Sequence, residues 1–314
     1  MDEWLRSTVS RRRLIRHGLL ACLGAGCGRL SLGAAPAAAL PLITKPIPAS
    51  GERLPAIGLG SDSFRSSERA AIQAEIKRMN ELGGAVIDTA AAYGDSEALI
   101  GDALAALAVR ERMFVATKLT GGGLFGGAGG EASFRRSLQR LKSSRIDLLQ
   151  VHNLDGVDSL MPMLQAWKKA GQIRYLGVTT SRGSQHADIV AVMRRYPLDF
   201  IQVDYSIANR DAATAVLPTA LERGVAVLAN LPLARAALIG QAGQRPLPAW
   251  AADIDVTSWS QFFLKYVISH PAVTCAIPGS TKVEHLEDNQ AAARGRLPDA
   301  AMRKRMEEFW DGNA

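Results

Sequence analysis

Seven short runs rich in Val, Ile and Leu recur along the chain, and the stretches between them carry helical spacing. No other property restricts the fold as much. The runs cover residues 85–88, 113–118, 146–152, 173–178, 200–204, 224–229 and 273–277, and a segment around 55–59 supplies an eighth. In the first intervening stretch, Ile72, Ile76 and Met79 recur at i, i+4 and i+7, as one apolar helix face requires. Near-continuous apolar strands separated by amphipathic helices predict a parallel sheet covered on its outer face. Eight such units in a chain of 314 residues predict an α/β fold, a closed (β/α)8 TIM barrel rather than an open doubly wound sheet.

Polar residues interrupt these runs at a shared position. Asp88, Lys118, His152, Thr179, Gln202, Asn230 and Ser280 all fall at or near the C-terminal end of a predicted strand, the end at which such barrels build their sites. Composition narrows the function further. Aromatic residues make up 6%, too few for a carbohydrate platform or a single-strand nucleic-acid surface. The formal charge of +7 is concentrated at the N-terminus, where residues 1–39 hold six Arg against Asp2 and Glu3. Nucleic acid is therefore not an expected partner.

That N-terminal segment reads as a leader over residues 1–39, with the folded domain spanning 40–314. Ser10-Arg11-Arg12-Arg13-Leu14-Ile15-Arg16 resembles the twin-arginine export motif. The Gly/Ala-rich run that follows is interrupted by Arg29, so it is not expected to span a membrane. Ala37-Ala38-Ala39 offers small residues for a signal peptidase, which places cleavage near Ala39. Two other readings are a basic arm leading into a surface helix, and a lipoprotein whose modified residue is Cys22 in Leu19-Leu20-Ala21-Cys22. The twin-arginine resemblance implies the twin-arginine machinery as a partner and the periplasm as destination. Cleavage would remove Cys22 and Cys27 and leave Cys275 alone, so the mature chain would hold no intramolecular disulfide.

The chemistry centres on four residues. Asp88 is followed by a small-residue turn and Tyr93, Lys118 ends the third strand, and His152 ends the fourth. A phenol has an ordinary pKa of about 10, so it is a poor acid near neutrality unless its anion is stabilised. A neighbouring ammonium does that, a carboxylate keeps the ammonium charged and placed, and an imidazole edge can orient a carbonyl oxygen. His186, His270 and His285 lack metal-ligand spacing, so no metal site is expected.

These residues sit in a longer ordered set: Gly58-Leu59-Gly60, Ile87-Asp88-Thr89 with Tyr93-Gly94, Ser96-Glu97, Ala116-Thr117-Lys118, Leu149-Gln150-Val151-His152, Arg174-Tyr175-Leu176-Gly177-Val178, Ile201-Gln202-Val203-Asp204-Tyr205-Ser206 and Ile277-Pro278-Gly279-Ser280. The set resembles the aldo/keto reductase superfamily from roughly residue 46 to residue 293. The resemblance implies a barrel of that type and a tetrad in which Tyr93 is the general acid. Lys118 would modulate its pKa, Asp88 would partner Lys118, and His152 would orient the carbonyl. It implies a small-molecule carbonyl substrate and NADPH as cofactor, with NADH as the second candidate.

On the cofactor side the resemblance places Thr179 and Thr180 where the family has a Ser-Asn pair, keeps Gln202, and puts Asn230 where an aromatic residue usually stacks on the nicotinamide. Backbone amides from Leu231 to Arg235, including Leu233, would hold the pyrophosphate. Ser280, Asp288 and Asn289 would serve the adenosine phosphate. Gly279 stands in place of a usual lysine and His285 in place of a usual arginine, with Lys282 as a replacement charge. The glycine-rich segment 121–130 is a candidate rim or lid. Only four residues follow the helix expected near 299–310, which favours an open pocket tolerant of varied aldehydes or ketones. The altered contacts at Thr180 and Asn230 keep a second reading open: a non-catalytic or weakly catalytic cofactor-binding redox sensor on the same barrel.

Overall fold

The computed structural model describes residues 40–120 and 126–312. The leader expected over 1–39 lies outside the described residues, and so do residues 121–125 of the glycine-rich segment. The folded part opens with an antiparallel hairpin of β1 (Thr44–Pro46) and β2 (Arg53–Pro55). Eight parallel strands follow in chain order: β3 (Leu59–Gly60), β4 (Val86–Asp88), β5 (Phe114–Leu119), β6 (Ile146–Val151), β7 (Ile173–Thr179), β8 (Phe200–Asp204), β9 (Ala226–Asn230) and β10 (Val273–Ala276). Each pairs with its chain neighbours.

The helices lie between the strands, as the alternation requires. They are α1 (Arg69–Glu81), α2 (Ser96–Leu107), α3 (Gly126–Arg140), α4 (Val157–Lys169), α5 (His186–Arg195) and α6 (Val216–Arg223), one after each of β3 to β8. Then α7 (Ala237–Ala242) and α8 (Trp259–Ser269) follow β9, while α9 (Val283–Ala291) and α10 (Ala300–Asp311) follow β10. The fold is the (β/α)8 barrel. Helix α10 begins where expected, and Asp299 Oδ1 caps it by accepting from the Met302 amide at 2.8 Å.

Closure depends on the first and last strands. Parallel bridges join Ile57 to Ala276 and Gly60 to Gly279. The Gly58 amide donates to Ala276 O at 2.8 Å and the Gly60 amide to Pro278 O at 3.0 Å. A Cβ on Gly60 would stand 2.8 Å from Ile277 O, so only glycine lets the two strands meet.

Two cores result, and strand alternation separates them. Val86, Phe114, Ala116, Leu148, Tyr175, Phe200, Ala226, Leu228 and Cys275 fill the barrel interior, joined by Ile47 and Leu54 of the hairpin. The larger core, with Ile72, Ile76 and Met79 of α1, lies between sheet and helices. Residues two apart on a strand share a face. Asp88 therefore follows Val86 inward, Lys118 follows Ala116, Gln202 follows Phe200, and Asn230 follows Leu228. Burial of the apolar layers fixes the direction of the polar ones above them.

One expectation needs correction. Residues 126–130 of the glycine-rich segment are the first turn of α3, not rim. A Cβ on Gly130 would come 2.8 Å from Leu160 Cδ2, so the glycine admits close packing of α3 on α4. Tertiary contact here outweighs the poor helix propensity of glycine.

Candidate active site

The C-terminal ends of the strands surround a cavity of about 630 Å³. Asp88, Tyr93, Lys118 and His152 line one part of it; Gly279, Ser280 and His285 line another. Lys118 is 1% exposed, and its Nζ donates to Asp88 Oδ2 at 2.6 Å and to Thr89 O at 2.8 Å. The same ammonium lies 4.9 Å from the centre of the Tyr93 ring. Tyr93 meets His152 edge-on, with ring centres 5.8 Å apart and planes at 79°. The four residues expected to act together do share one corner of the cavity.

Tyr93 reaches that corner from a tightly tied turn. Its amide donates to Ala90 O at 3.0 Å, and its own carbonyl accepts from the Ser96 amide at 3.1 Å. Below it, the Ser96 hydroxyl donates to Ser61 Oγ at 2.7 Å and receives the Thr89 hydroxyl at 3.0 Å. The Thr89 amide is itself tied to Ala116 O at 2.8 Å. The phenol is thus aimed by main-chain bonds.

Burial raises the Tyr93 phenol above its ordinary value, with the Lys118 ammonium pulling it back down. The phenol stays protonated at neutral pH and can donate. Burial also raises the Asp88 carboxyl, and the ion pair with Lys118 opposes that rise. His152 is lowered to about 4, by burial first and by Lys118 second, so its imidazole is neutral. Its Nδ1 is buried with no hydrogen-bond partner among the described residues.

The chain around His152 is strained. Asn153 and Leu154 follow it with φ of 52° and 58°, the left-handed region that non-glycine residues rarely enter. Two bonds hold them, one to the end of β7 and one to the turn after it. The Asn153 amide donates to Thr179 Oγ1 at 2.9 Å, and Asn153 O accepts from Gln185 Nε2 at 3.1 Å. Gln185 is fixed in turn by the Thr180 hydroxyl, which donates to its Oε1 at 2.7 Å. Thr179 and Thr180, expected on the cofactor, both carry this clamp.

The remaining expected residues divide. Thr179, Gln202, Asn230, Leu231, Leu233, Arg235, Gly279, Ser280 and His285 line the cavity. Thr180, Lys282, Asp288 and Asn289 do not belong to its wall. Asp288 accepts from Ser258 Oγ at 2.8 Å and from Gln261 Nε2 at 2.7 Å, which ties α9 to the start of α8. Asn289 Oδ1 accepts from Ser260 Oγ at 2.9 Å. Asn230 reaches across with Nδ2 to Thr180 O at 3.1 Å, leaving its Oδ1 buried with no partner among the described residues. After β9 the backbone turns repeatedly left-handed, at Leu231, Ala234, Arg235 and Ala236. Successive amides in such turns form a concave, anion-attracting surface.

Residues not singled out from the sequence also line the cavity, among them Ser61, Asp62, Asn153 and Ser181. Asp62 Oδ2 pairs with Arg235 Nη1 at 2.8 Å and joins the loop after β3 to the loop after β9. Their signal was position alone: each follows a strand end by a residue or two.

Comparison with known proteins agrees with this geometry. A family model described as "Aldo/keto reductase family" matches residues 56–311. An aldo-keto reductase of Strobilurus tenacellus is 30% identical over 266 residues, covering 70% of this chain and 76% of its own. An uncharacterized oxidoreductase of Schizosaccharomyces pombe is 32% identical over 257 residues, covering 77% of this chain and 80% of its own. A crystal structure of an aldo/keto reductase from Klebsiella pneumoniae, in complex with NADP and acetate, superposes with a TM-score of 0.72 at 26% identity. It covers 83% of this chain and 93% of that one.

Proposed function

The chain belongs to the aldo/keto reductase family, and we propose that this oxidoreductase reduces aldehyde or ketone carbonyls with NADPH while Tyr93 supplies the proton. The observation that carries the reading is the buried Lys118 ammonium, bonded to Asp88 at 2.6 Å and set 4.9 Å from the Tyr93 ring. An ammonium held this way stabilises a phenolate beside it.

The cavity suits such a cofactor. Its volume of about 630 Å³ accommodates a nucleotide, and it reaches from the tetrad to the loop before α9. The orphaned Asn230 Oδ1 is an acceptor in search of a donor, as a carboxamide would provide. Gln202 and Thr179 would share that end, the left-handed turns of 231–236 would take the pyrophosphate, and Ser280 with His285 would take the adenosine side. NADPH, when bound, supplies a hydride.

The chain's own residues handle the proton and the substrate oxygen. His152, neutral and edge-on to Tyr93, orients the carbonyl oxygen toward the phenol. Tyr93 Oη releases its proton to that oxygen as negative charge develops there. Lys118 holds the resulting phenolate, and Asp88 keeps the ammonium in register.

Export through the twin-arginine route to the periplasm belongs to the same proposal. Its support is Arg11-Arg12 with its flanking residues and the small residues before position 40. Fluorescence titration of the purified protein with NADPH, followed by loss of absorbance at 340 nm with aldehydes such as 4-nitrobenzaldehyde, tests the reaction. Tight binding without turnover of any carbonyl would instead favour the redox sensor.

A further inference from the structure

Strand alternation sends the side chains of β6 to opposite sides. Leu148 enters the barrel interior, while Leu149 and Val151 join the core beneath the helices. One more extended step past His152 would carry Asn153 outward with them. The chain turns instead: Asn153 adopts φ 52° and ψ 34°, Leu154 follows at φ 58°, and His152 and Asn153 both line the cavity. The left-handed turn re-aims one side chain across the barrel rim. Backbone strain kept beside a cavity points to use.

What the turn presents is an unengaged carboxamide. The clamp from Thr179 and Gln185 takes only the main chain of Asn153. The side chain is half-buried and bonds to none of the described residues. A carboxamide offers two donors and an acceptor. Consecutive Cα atoms stand about 3.8 Å apart, so a group held by Asn153 lies a bond or two from the oxygen that His152 orients.

The wall around the tetrad has the same character. Among the described residues it contains no Phe and no Trp, and the loop after β3 adds Ser61, Asp62 and Ser63. Pockets for apolar ligands are lined mainly by hydrophobic and aromatic side chains. Leu231 and Leu233 are the aliphatic exceptions, and they follow β9, on the stretch read as the pyrophosphate site.

We propose that the substrates are small carbonyl compounds bearing a second oxygen on the carbon next to the carbonyl, as a hydroxyl or a second carbonyl, and that Asn153 is the residue that selects them. The inference deepens the carbonyl-reductase reading of this cavity and rests on it. A substrate with a methyl in place of that oxygen leaves the carboxamide covered and unpaired. Solvent still reaches a half-buried amide, so the discrimination is about tenfold rather than the far larger factor of a sealed site.

The experiment measures kcat/KM with NADPH for hydroxyacetone and for its isostere butan-2-one, in the full chain and in Asn153→Gly. Glycine enters the left-handed turn freely, so the variant keeps the backbone and loses the carboxamide. The second oxygen also activates the carbonyl by itself, so the quantity read is the change in the ratio of the two constants. The unmodified protein should favour hydroxyacetone by more than tenfold, and the ratio should fall about tenfold in the glycine variant. Asn153→Asp, which also tolerates the turn and keeps an acceptor for the hydroxyl, should hold the ratio within threefold of the original. A ratio unmoved in the glycine variant, whatever happens to the two rates, overturns the selecting role and leaves the reductase reading standing. Failure of the unmodified protein to reduce any carbonyl with NADPH overturns that reading and this inference together.

Discussion

Gln185 Nε2 donates to the main-chain carbonyl of Asn153 at 3.1 Å, so a side chain after β7 restrains a strained turn after β6. That turn carries His152, whose ring meets Tyr93 edge-on. Gln185 touches neither cavity nor tetrad and acts as a positioning residue. Replacing it with Leu should lower kcat about ten- to a hundredfold, because small displacements of an orienting group are amplified in rate. NADPH affinity should stay within twofold. Steady-state kinetics beside a fluorescence titration separates the two. Parallel loss of both would mean that the clamp merely supports the whole rim.

Tyr93→Phe removes the proton donor and preserves the ring that Lys118 and His152 face. General acid catalysis contributes 10²–10⁴-fold, so carbonyl reduction should fall by about that factor. Cofactor binding should hardly change. A variant that keeps more than half the original rate with 4-nitrobenzaldehyde would require a different donor.

Acid should destabilise the fold in a defined window. His152 and His270 are each lowered to about 4, chiefly by burial, from an ordinary value near 6.5. The unfolded chain therefore binds protons that the folded chain refuses. Their contribution is fully present above pH 6.5 and is lost progressively as pH falls toward 4. Allowing for the partial exposure of both rings, the loss amounts to about 2–4 kcal/mol in all. Urea midpoints between pH 7 and pH 4 would measure it, and His270→Gln should flatten part of the curve. An unchanged slope in that variant would assign the acid sensitivity elsewhere.

For the leader, Arg11-Arg12 replaced by Lys-Lys should leave a folded, nucleotide-binding precursor in the cytoplasm and little protein outside it. Cell fractionation followed by nucleotide release from each fraction reads both halves. Normal amounts of the variant in the periplasm would remove the twin-arginine route from the proposal.

What could be read from the sequence follows the strands. Asp88, Lys118, Gln202 and Asn230 stand at even steps from apolar residues of the barrel interior, and a period of two makes such positions visible in a string of letters. His152 and Ser280 lie just past their strands and inherit the same placement. Loop residues have no period. Asp62 and Asn153 are marked only by following a strand end, Gln185 by nothing local, and all three gain their importance from neighbours far along the chain. The hairpin of β1 and β2 went unread because three residues per strand are too few to show alternation. Residues 126–130 misled through their glycines, whose weak helix propensity says nothing about the close approach of α4. Lys282, Asp288 and Asn289 were placed by resemblance alone, and in this fold their side chains are not part of the cavity wall.

The seam between β3 and β10 has a consequence for how the protein is made. Ile57 leaves the ribosome long before Ala276, and until both are present β3 offers one unpaired edge to whatever strand passes by. No portion of the nascent chain can finish the barrel, and the hairpin that stoppers its floor has no complete interior to seal. Closure is then a late step in which the C-terminal strand arrives, the ring shuts, and the cavity acquires its final wall at Gly279 and Ser280. A ribosome stalled before β10 would release a sticky open sheet with half a nucleotide site. For such a chain, sheltering the open edge during synthesis is as much a condition of activity as any residue in the cavity.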